Sequence, residues 1–187
     1  LPGHTHTVFA TVSGQARMNS ITYMAPSKAF NVPGLGSSYL VCQNPALFGK
    51  YQSFVSGREL AEGHVFAYEG LISAYSGPEG EEWLQQALDY IQENIRFIDR
   101  ELRRRMPKIK AMIPDASYLV FLDCRELDLS QKELVEFFVD GAHLALNDGS
   151  IFGKEGEGFM RLNAGCPRSI LERALNQLEE AYRNRGF

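Results

Sequence analysis

The 187-residue chain is long enough for one domain or slightly more, and its 44% apolar and 22% charged residues are typical of a soluble globular protein. A formal charge of −4 and a pI near 5.6 argue against a nucleic-acid or anionic-membrane surface, and no apolar run approaches transmembrane length. Cys42, Cys124 and Cys166 are odd in number and form no CxxC motif, so they indicate reduced thiols of a cytoplasmic protein rather than disulfides or a zinc site.

Two short strands are predicted first, over residues 20–25 and 37–42, because these segments are rich in Ile, Thr, Tyr, Leu and Val. The connection between them is too short for a helical crossover, so the two strands run antiparallel if they pair directly. Lys28 would then lie on the connecting loop, at the end of a sheet.

Three helices are predicted next. Asn44 and Pro45 form a favourable N-cap and first helical position, with Gly57 as the end, and a second helix covers residues 64–75. The clearest helix follows Pro78 and has acidic residues near its start and three arginines near its end, both of which favour the helix dipole. Its apolar residues recur every three or four positions, at Leu84, Leu88, Ile91, Ile95, Ile98 and Leu102.

The pattern after this long helix predicts a small α/β unit with helices packed on a sheet. The predicted order is strand 117–123, helix 131–140, a short strand near Leu144, strand 158–163 and helix 168–185.

Lys28 is the first candidate functional residue. A neutral amine attacks a carbonyl whereas an ammonium does not, and partial burial or a nearby cation favours the neutral form of a lysine. Pro26 and Phe30 could supply apolar walls, and the Ser27 hydroxyl could contact an anionic ligand. The alternative is an ordinary lysine on a surface loop.

Arg161 is the second candidate, because it interrupts an apolar strand where an unpaired guanidinium is costly. The planar guanidinium binds a carboxylate through two parallel hydrogen bonds. The alternative is an internal ion pair between Arg161 and an Asp or Glu.

The segments APSKAFNVPGLGSS (residues 25–38) and GEGFMRLNAGCPRS (residues 156–169) together resemble the fold-type I enzymes that depend on pyridoxal 5'-phosphate (PLP). They are most similar to the cystathionine β-lyases, or C–S lyases, of the MalY/PatB kind, relatives of the class I/II aminotransferases. The resemblance runs from about His4 to the C-terminus. It implies that Lys28 binds the cofactor covalently and serves as the base at the substrate Cα, and that Arg161 holds the substrate α-carboxylate.

The resemblance also implies an α/β fold. Residues 1–77 would form the C-terminal end of a large cofactor-binding domain, residues 78–107 a connecting helix, and residues 108–187 a small α/β domain. It further implies a cytoplasmic homodimer that acts on a small amino-acid substrate, with no nucleic-acid or membrane partner and no metal.

Three features depart from the family pattern. Many aminotransferases carry a cationic residue eight positions after the lysine and a serine three before it, where this chain has Gly36 and Ala25. Ser27 therefore remains as the local contact expected for the cofactor phosphate. Only 27 residues precede Lys28, so the resemblance implies a C-terminal part of such an enzyme with negligible activity alone.

The function expected of the parent protein is therefore cleavage of cystathionine or related cysteine conjugates to pyruvate, ammonia and a thiol. A PLP-dependent aminotransferase is the alternative within the same fold, because Lys28 and Arg161 serve both reactions. A non-catalytic α/β interaction fragment is the alternative of another class.

Overall fold

Seven α-helices and six β-strands form among residues 1–58, 60 and 63–187, which the computed structural model describes. The helices are Gly14–Met18 (α1), Pro26–Ala29 (α2), Pro45–Ser56 (α3), Val65–Tyr75 (α4), Pro78–Arg105 (α5), Gln131–Glu136 (α6) and Arg168–Asn184 (α7). The strands are Thr22–Met24 (β1), Tyr39–Val41 (β2), Lys110–Met112 (β3), Leu119–Asp123 (β4), Asn147–Asp148 (β5) and Phe159–Asn163 (β6). Two compact units result, an N-terminal unit of residues 5–86 and a C-terminal unit of residues 1–4 and 87–187.

In the N-terminal unit, β1 and β2 form an antiparallel two-stranded sheet in which Met24 pairs with Tyr39. The predicted antiparallel strand pair is therefore confirmed, with both strands shorter than expected. The prediction of a simple loop between the strands was wrong, because the connection contains the one-turn helix α2. Pro26 at the first position of α2 has a backbone angle already suited to a helix, and Ala25 before it is extended.

The two helices that follow begin where the sequence predicted. The Asn44 side chain accepts hydrogen bonds from the backbone N–H groups of Ala46 and Leu47, at 2.9 and 3.2 Å, at the start of α3. At the start of α4, the His64 Nδ1 atom accepts a hydrogen bond from the Ala67 N–H at 3.2 Å. These side chains satisfy N–H groups that have no partner within a first helical turn.

Helix α5 is 28 residues long and begins and ends close to the predicted positions. Its first nine residues belong to the N-terminal unit and the remainder to the C-terminal unit. The division into residues 1–77, 78–107 and 108–187 stays a prediction.

In the C-terminal unit, four antiparallel strands form a sheet in the order β3-β4-β6-β5. Strand alternation sends one set of side chains into a hydrophobic core with residues of α5, α6 and α7. The strand residues of this core include Val120, Leu122, Met160 and Leu162. The alternate residues, among them Leu119, Phe121, Phe159 and Arg161, lie on the other face of the sheet and are only partly buried.

Three details of this unit differ from the sequence prediction. Strand β3 was not predicted, and the helix expected over residues 131–140 changes at Phe137 into a turn of π-helix, Phe137–Gly141. The short strand expected near Leu144 is wrong, because the Leu144 N–H donates to the Phe138 carbonyl at 2.8 Å and the strand pairing begins at Asn147. Leu144 and Leu146 instead pack against the core, which explains their apolar alternation.

Candidate functional site

Lys28 lies in α2, and its side chain is exposed. The turn is closed by a hydrogen bond of 2.8 Å from the Phe30 N–H to the Pro26 carbonyl, and Pro26 itself is buried. Within the described part of the chain, the Lys28 amino group has no hydrogen-bond or ion-pair partner. A ligand can therefore reach this amino group from solvent.

Aromatic side chains fix the C-terminal end of α2. The Phe30 ring stacks on Trp83 with a centroid separation of 6.0 Å and meets Tyr75 edge to face at 5.2 Å. Tyr39 at the start of β2 contacts Tyr75 at 5.8 Å. Burial, followed by the interaction with Tyr39, raises the pKa of Tyr75 above its ordinary value. These contacts hold the backbone beside Lys28 against β2, α4 and the start of α5.

Two serines lie at the same end of the β1–β2 sheet as Lys28. Ser27 is half-buried next to Lys28, and its carbonyl accepts a hydrogen bond from the Val32 N–H at 3.1 Å. Ser37 precedes β2 by two residues, and because the strands are antiparallel this position is at the end of β1 that leads into α2. The Ser37 hydroxyl oxygen is buried and has no hydrogen-bond partner among the described residues. The sequence analysis missed Ser37, since serine in such a connection carries no distinguishing pattern.

Arg161 lies at the centre of β6 in the C-terminal unit, directly across from Phe121 of β4. Its Nη2 donates to the Asn147 Oδ1 at 2.9 Å, and its guanidinium carbon lies 4.3 Å from the centroid of the Phe152 ring. The Nε atom is buried and has no partner in the part of the chain that the structure describes. An internal ion pair, the alternative considered for Arg161, is wrong for these residues, because no described Asp or Glu lies within 4.0 Å of its guanidinium nitrogens.

The loop that follows β6 is tied to α5 by Asn94, which is completely buried. The Asn94 amide nitrogen donates to the carbonyls of Ala164 and Cys166, both at 2.9 Å, and its Oδ1 accepts from the Arg168 Nε at 2.8 Å. The carbonyls of Ala164 and Cys166 and the Nε of Arg168 therefore each have a hydrogen-bond partner in Asn94. The sequence signal for Asn94 was present but not used, since it is a polar residue three positions after Ile91 on the apolar stripe of a helix.

An open cavity of about 440 Å³ lies on the same face of the sheet as Arg161. Its walls are almost entirely apolar, and Glu155 is the charged residue among those that line it. Phe121 and Phe152, both neighbours of Arg161, belong to its walls.

Among the described residues, no helix is both long and apolar enough to cross a membrane, and no three His, Cys, Asp or Glu side chains are grouped as a metal site requires.

No family model matches the chain, but individual relatives do. Cystathionine β-lyase PatB from Bacillus subtilis is 36% identical over 181 residues, which are 97% of this chain and 46% of PatB. Protein MalY from Escherichia coli is 34% identical over 91% of this chain and 44% of MalY. The chain thus spans about half the length of the curated relatives it matches.

A solved structure gives the same result at the level of the fold. The crystal structure of cystalysin from Treponema denticola, which contains pyridoxal 5'-phosphate, superposes with a TM-score of 0.90 at 29% identity. The match covers 99% of this chain and 46% of the cystalysin chain.

Proposed function

Because this chain belongs to the fold-type I family of PLP-dependent enzymes, within the branch of C–S lyases and related aminotransferases, we propose that the protein containing it is a C–S β-lyase. Its substrate would be cystathionine or another cysteine conjugate, and its products pyruvate, ammonia and a thiol. The observation that carries the proposal is Arg161, a guanidinium with a buried, unpartnered Nε and no carboxylate partner among the described residues. Such a group suits the α-carboxylate of an amino acid.

The residues near Lys28 fit the cofactor. Its exposed amine can bond to the aldehyde of PLP, and the hydroxyls of Ser27 and Ser37 at the same end of the sheet can donate to a phosphate. The buried Ser37 hydroxyl in particular has no acceptor among the described residues, which is a costly arrangement unless a ligand supplies one. When bound, PLP supplies the electron sink that stabilises negative charge at the substrate Cα.

The chain's own groups have separate tasks in this reaction. Arg161 would hold the α-carboxylate and so orient the Cα–H bond, while the aromatic contacts of Phe30 keep α2 in place. The Lys28 amine would accept the proton from Cα. The thiolate would leave from Cβ and take up the proton that Lys28 removed from Cα, which gives the thiol. Water would hydrolyse the remaining fragment to pyruvate and ammonia.

Two measurements test the proposal on the protein that contains this chain. After incubation with PLP, borohydride reduction and peptide mapping should give an adduct at Lys28, and a Lys28→Arg variant should give none there. Cystathionine without any keto acid should yield pyruvate. A strict need for a keto-acid acceptor would instead identify an aminotransferase, and the absence of any adduct would favour a non-catalytic fragment.

We also propose a homodimeric assembly and a cytoplasmic location for this protein. The family resemblance supports the dimer, and the free thiols of Cys42, Cys124 and Cys166 agree with a reducing compartment. Light scattering of the purified protein tests the assembly, and cell fractionation tests the location.

A further inference from the structure

The cavity beside Arg161 has a wall chemistry that selects among amino-acid substrates. Six of its lining residues are large and apolar: Met112, Ile113, Leu119, Phe121, Phe152 and Phe159. Its volume of about 440 Å³ falls in the range of small-molecule sites. A ligand group that fills it must be apolar, because a polar group there would lose water without gaining hydrogen bonds.

Two independent contacts connect Arg161 with this cavity. Phe121 is the cross-strand partner of Arg161, so their side chains leave the same face of the sheet with Cβ atoms about 5 Å apart. Phe152 lies under the guanidinium, with its ring centroid 4.3 Å from the Arg161 Cζ, and also contacts the Phe121 ring at 5.7 Å. A carboxylate bound to Arg161 therefore has an aromatic wall of the cavity as its immediate neighbour.

We propose that this cavity takes the apolar side chain of the amino acid whose α-carboxylate Arg161 binds. The inference rests on the proposed function and deepens it: the preferred substrates are cysteine conjugates with an aliphatic or aromatic thiol as leaving group. Cystathionine is a poorer substrate, because its distal end carries an ammonium and a carboxylate. Glu155 is the charged residue among those that line the wall; it could pair with the distal ammonium, but the distal carboxylate would find no cation there.

The first experiment varies the leaving group in the protein that contains this chain. We expect kcat/KM for pyruvate formation to rise about fourfold per added methylene from S-methyl- to S-butyl-L-cysteine, which corresponds to about 0.8 kcal/mol per buried methylene. S-benzyl-L-cysteine should exceed cystathionine. Equal kcat/KM values along the series, with pyruvate formed, would overturn the cavity assignment and leave the lyase function standing.

A matched pair of variants locates the effect. Ile113→Ser removes an apolar wall residue that is 54% exposed, and Ile170→Ser makes the same change at a position in α7 that is 40% exposed and outside the cavity. The ratio of kcat/KM for S-butyl- to S-methyl-L-cysteine should fall several-fold in Ile113→Ser and stay unchanged in Ile170→Ser. Equal effects of the two changes would overturn the assignment.

A binding measurement separates this inference from the proposed function. Straight-chain carboxylates from propionate to hexanoate, titrated by ligand-observed NMR, should bind more tightly as the chain lengthens, and Ile113→Ser should weaken that trend. Such a trend without pyruvate from any cysteine conjugate would support the cavity and refute the lyase. Binding that is independent of chain length would refute the cavity whatever the enzymatic result.

Discussion

Replacing Arg161 by lysine separates the charge of this residue from its geometry. The Nη2 atom already donates to Asn147, so Nε and the remaining Nη hydrogens are the donors left for a carboxylate. A lysine keeps the positive charge but cannot form two parallel hydrogen bonds in the plane of a carboxylate. The variant should therefore lose about one of the two charge-assisted hydrogen bonds.

One such bond contributes about 1.5–3 kcal/mol, so Arg161→Lys should lower kcat/KM for S-methyl-L-cysteine about 10- to 150-fold. Arg161→Ala loses both bonds and should lower it about 10²- to 10⁴-fold. The measurement is pyruvate formation at saturating PLP, with the Lys28 adduct after borohydride reduction as a control for cofactor binding.

The adduct should form in both variants, because Arg161 is assigned to the substrate and not to the cofactor. Unchanged kcat/KM in Arg161→Ala would refute the carboxylate assignment. Loss of the adduct together with the activity would show that Arg161 acts on cofactor binding or on folding instead.

Three further predictions concern the C-terminal unit. Asn94→Ala leaves two loop carbonyls without their donor and the Arg168 Nε without its acceptor. The free energy of unfolding, measured by urea denaturation, should therefore fall by about 2–4 kcal/mol. Hydrogen bonds from arginines of the same helix hold the pKa of Glu101 at about 2, below its ordinary value of 4.5. Its contribution to stability is therefore complete above pH 4.5 and is lost as the pH falls towards 2, and Glu101→Gln should flatten the denaturation profile over that range. Gly149→Ala would place a Cβ 2.4 Å from the Gly156 carbonyl oxygen. The backbone would have to shift, which should lower the free energy of unfolding by about 1–3 kcal/mol.

Each of these variants has a control in the same unit. Asn184→Ala changes an exposed asparagine of α7, Glu93→Gln changes an exposed member of an ion pair, and Gly141→Ala adds a Cβ whose nearest neighbour is at an ordinary 3.7 Å. Each control should change the free energy of unfolding by less than about 0.5 kcal/mol. If a control is as destabilised as its partner, the contact proposed for that partner is not the cause.

The elements that the sequence predicted well are those whose pattern repeats. The long helix α5 has an apolar residue every three or four positions over many turns, and α7 shows the same spacing, so their bounds could be found within a few residues. A four-residue helix such as α2 has no room for periodicity. Its formation depends on Pro26 and on the contacts of Phe30, and the second of these is visible only in three dimensions.

The candidate site was predicted only in part, because its geometry depends on strand register. Lys28 and Arg161 could be selected from the sequence, and they belong to different units. The position of Arg161 between Asn147 and Phe152 could not be predicted from the sequence. It depends on the pairing of β5 with β6 and on the turn that brings Phe152 beneath the guanidinium. The short strand expected near Leu144 was wrong, because Leu144 and Leu146 pack against the core and strand pairing begins only at Asn147.

Asn94 has a consequence for the order in which the chain can mature during synthesis. Its carbonyl partners at Ala164 and Cys166 lie 70 and 72 residues later, so the ribosome completes α5 well before those acceptors exist. Until then the Asn94 amide keeps its hydrogen bonds to water, and burial of that stretch of α5 is unfavourable. The nascent helix therefore cannot settle into its final environment before β6 and its loop have emerged, so closure of the C-terminal unit waits for residues 70 and 72 positions after Asn94.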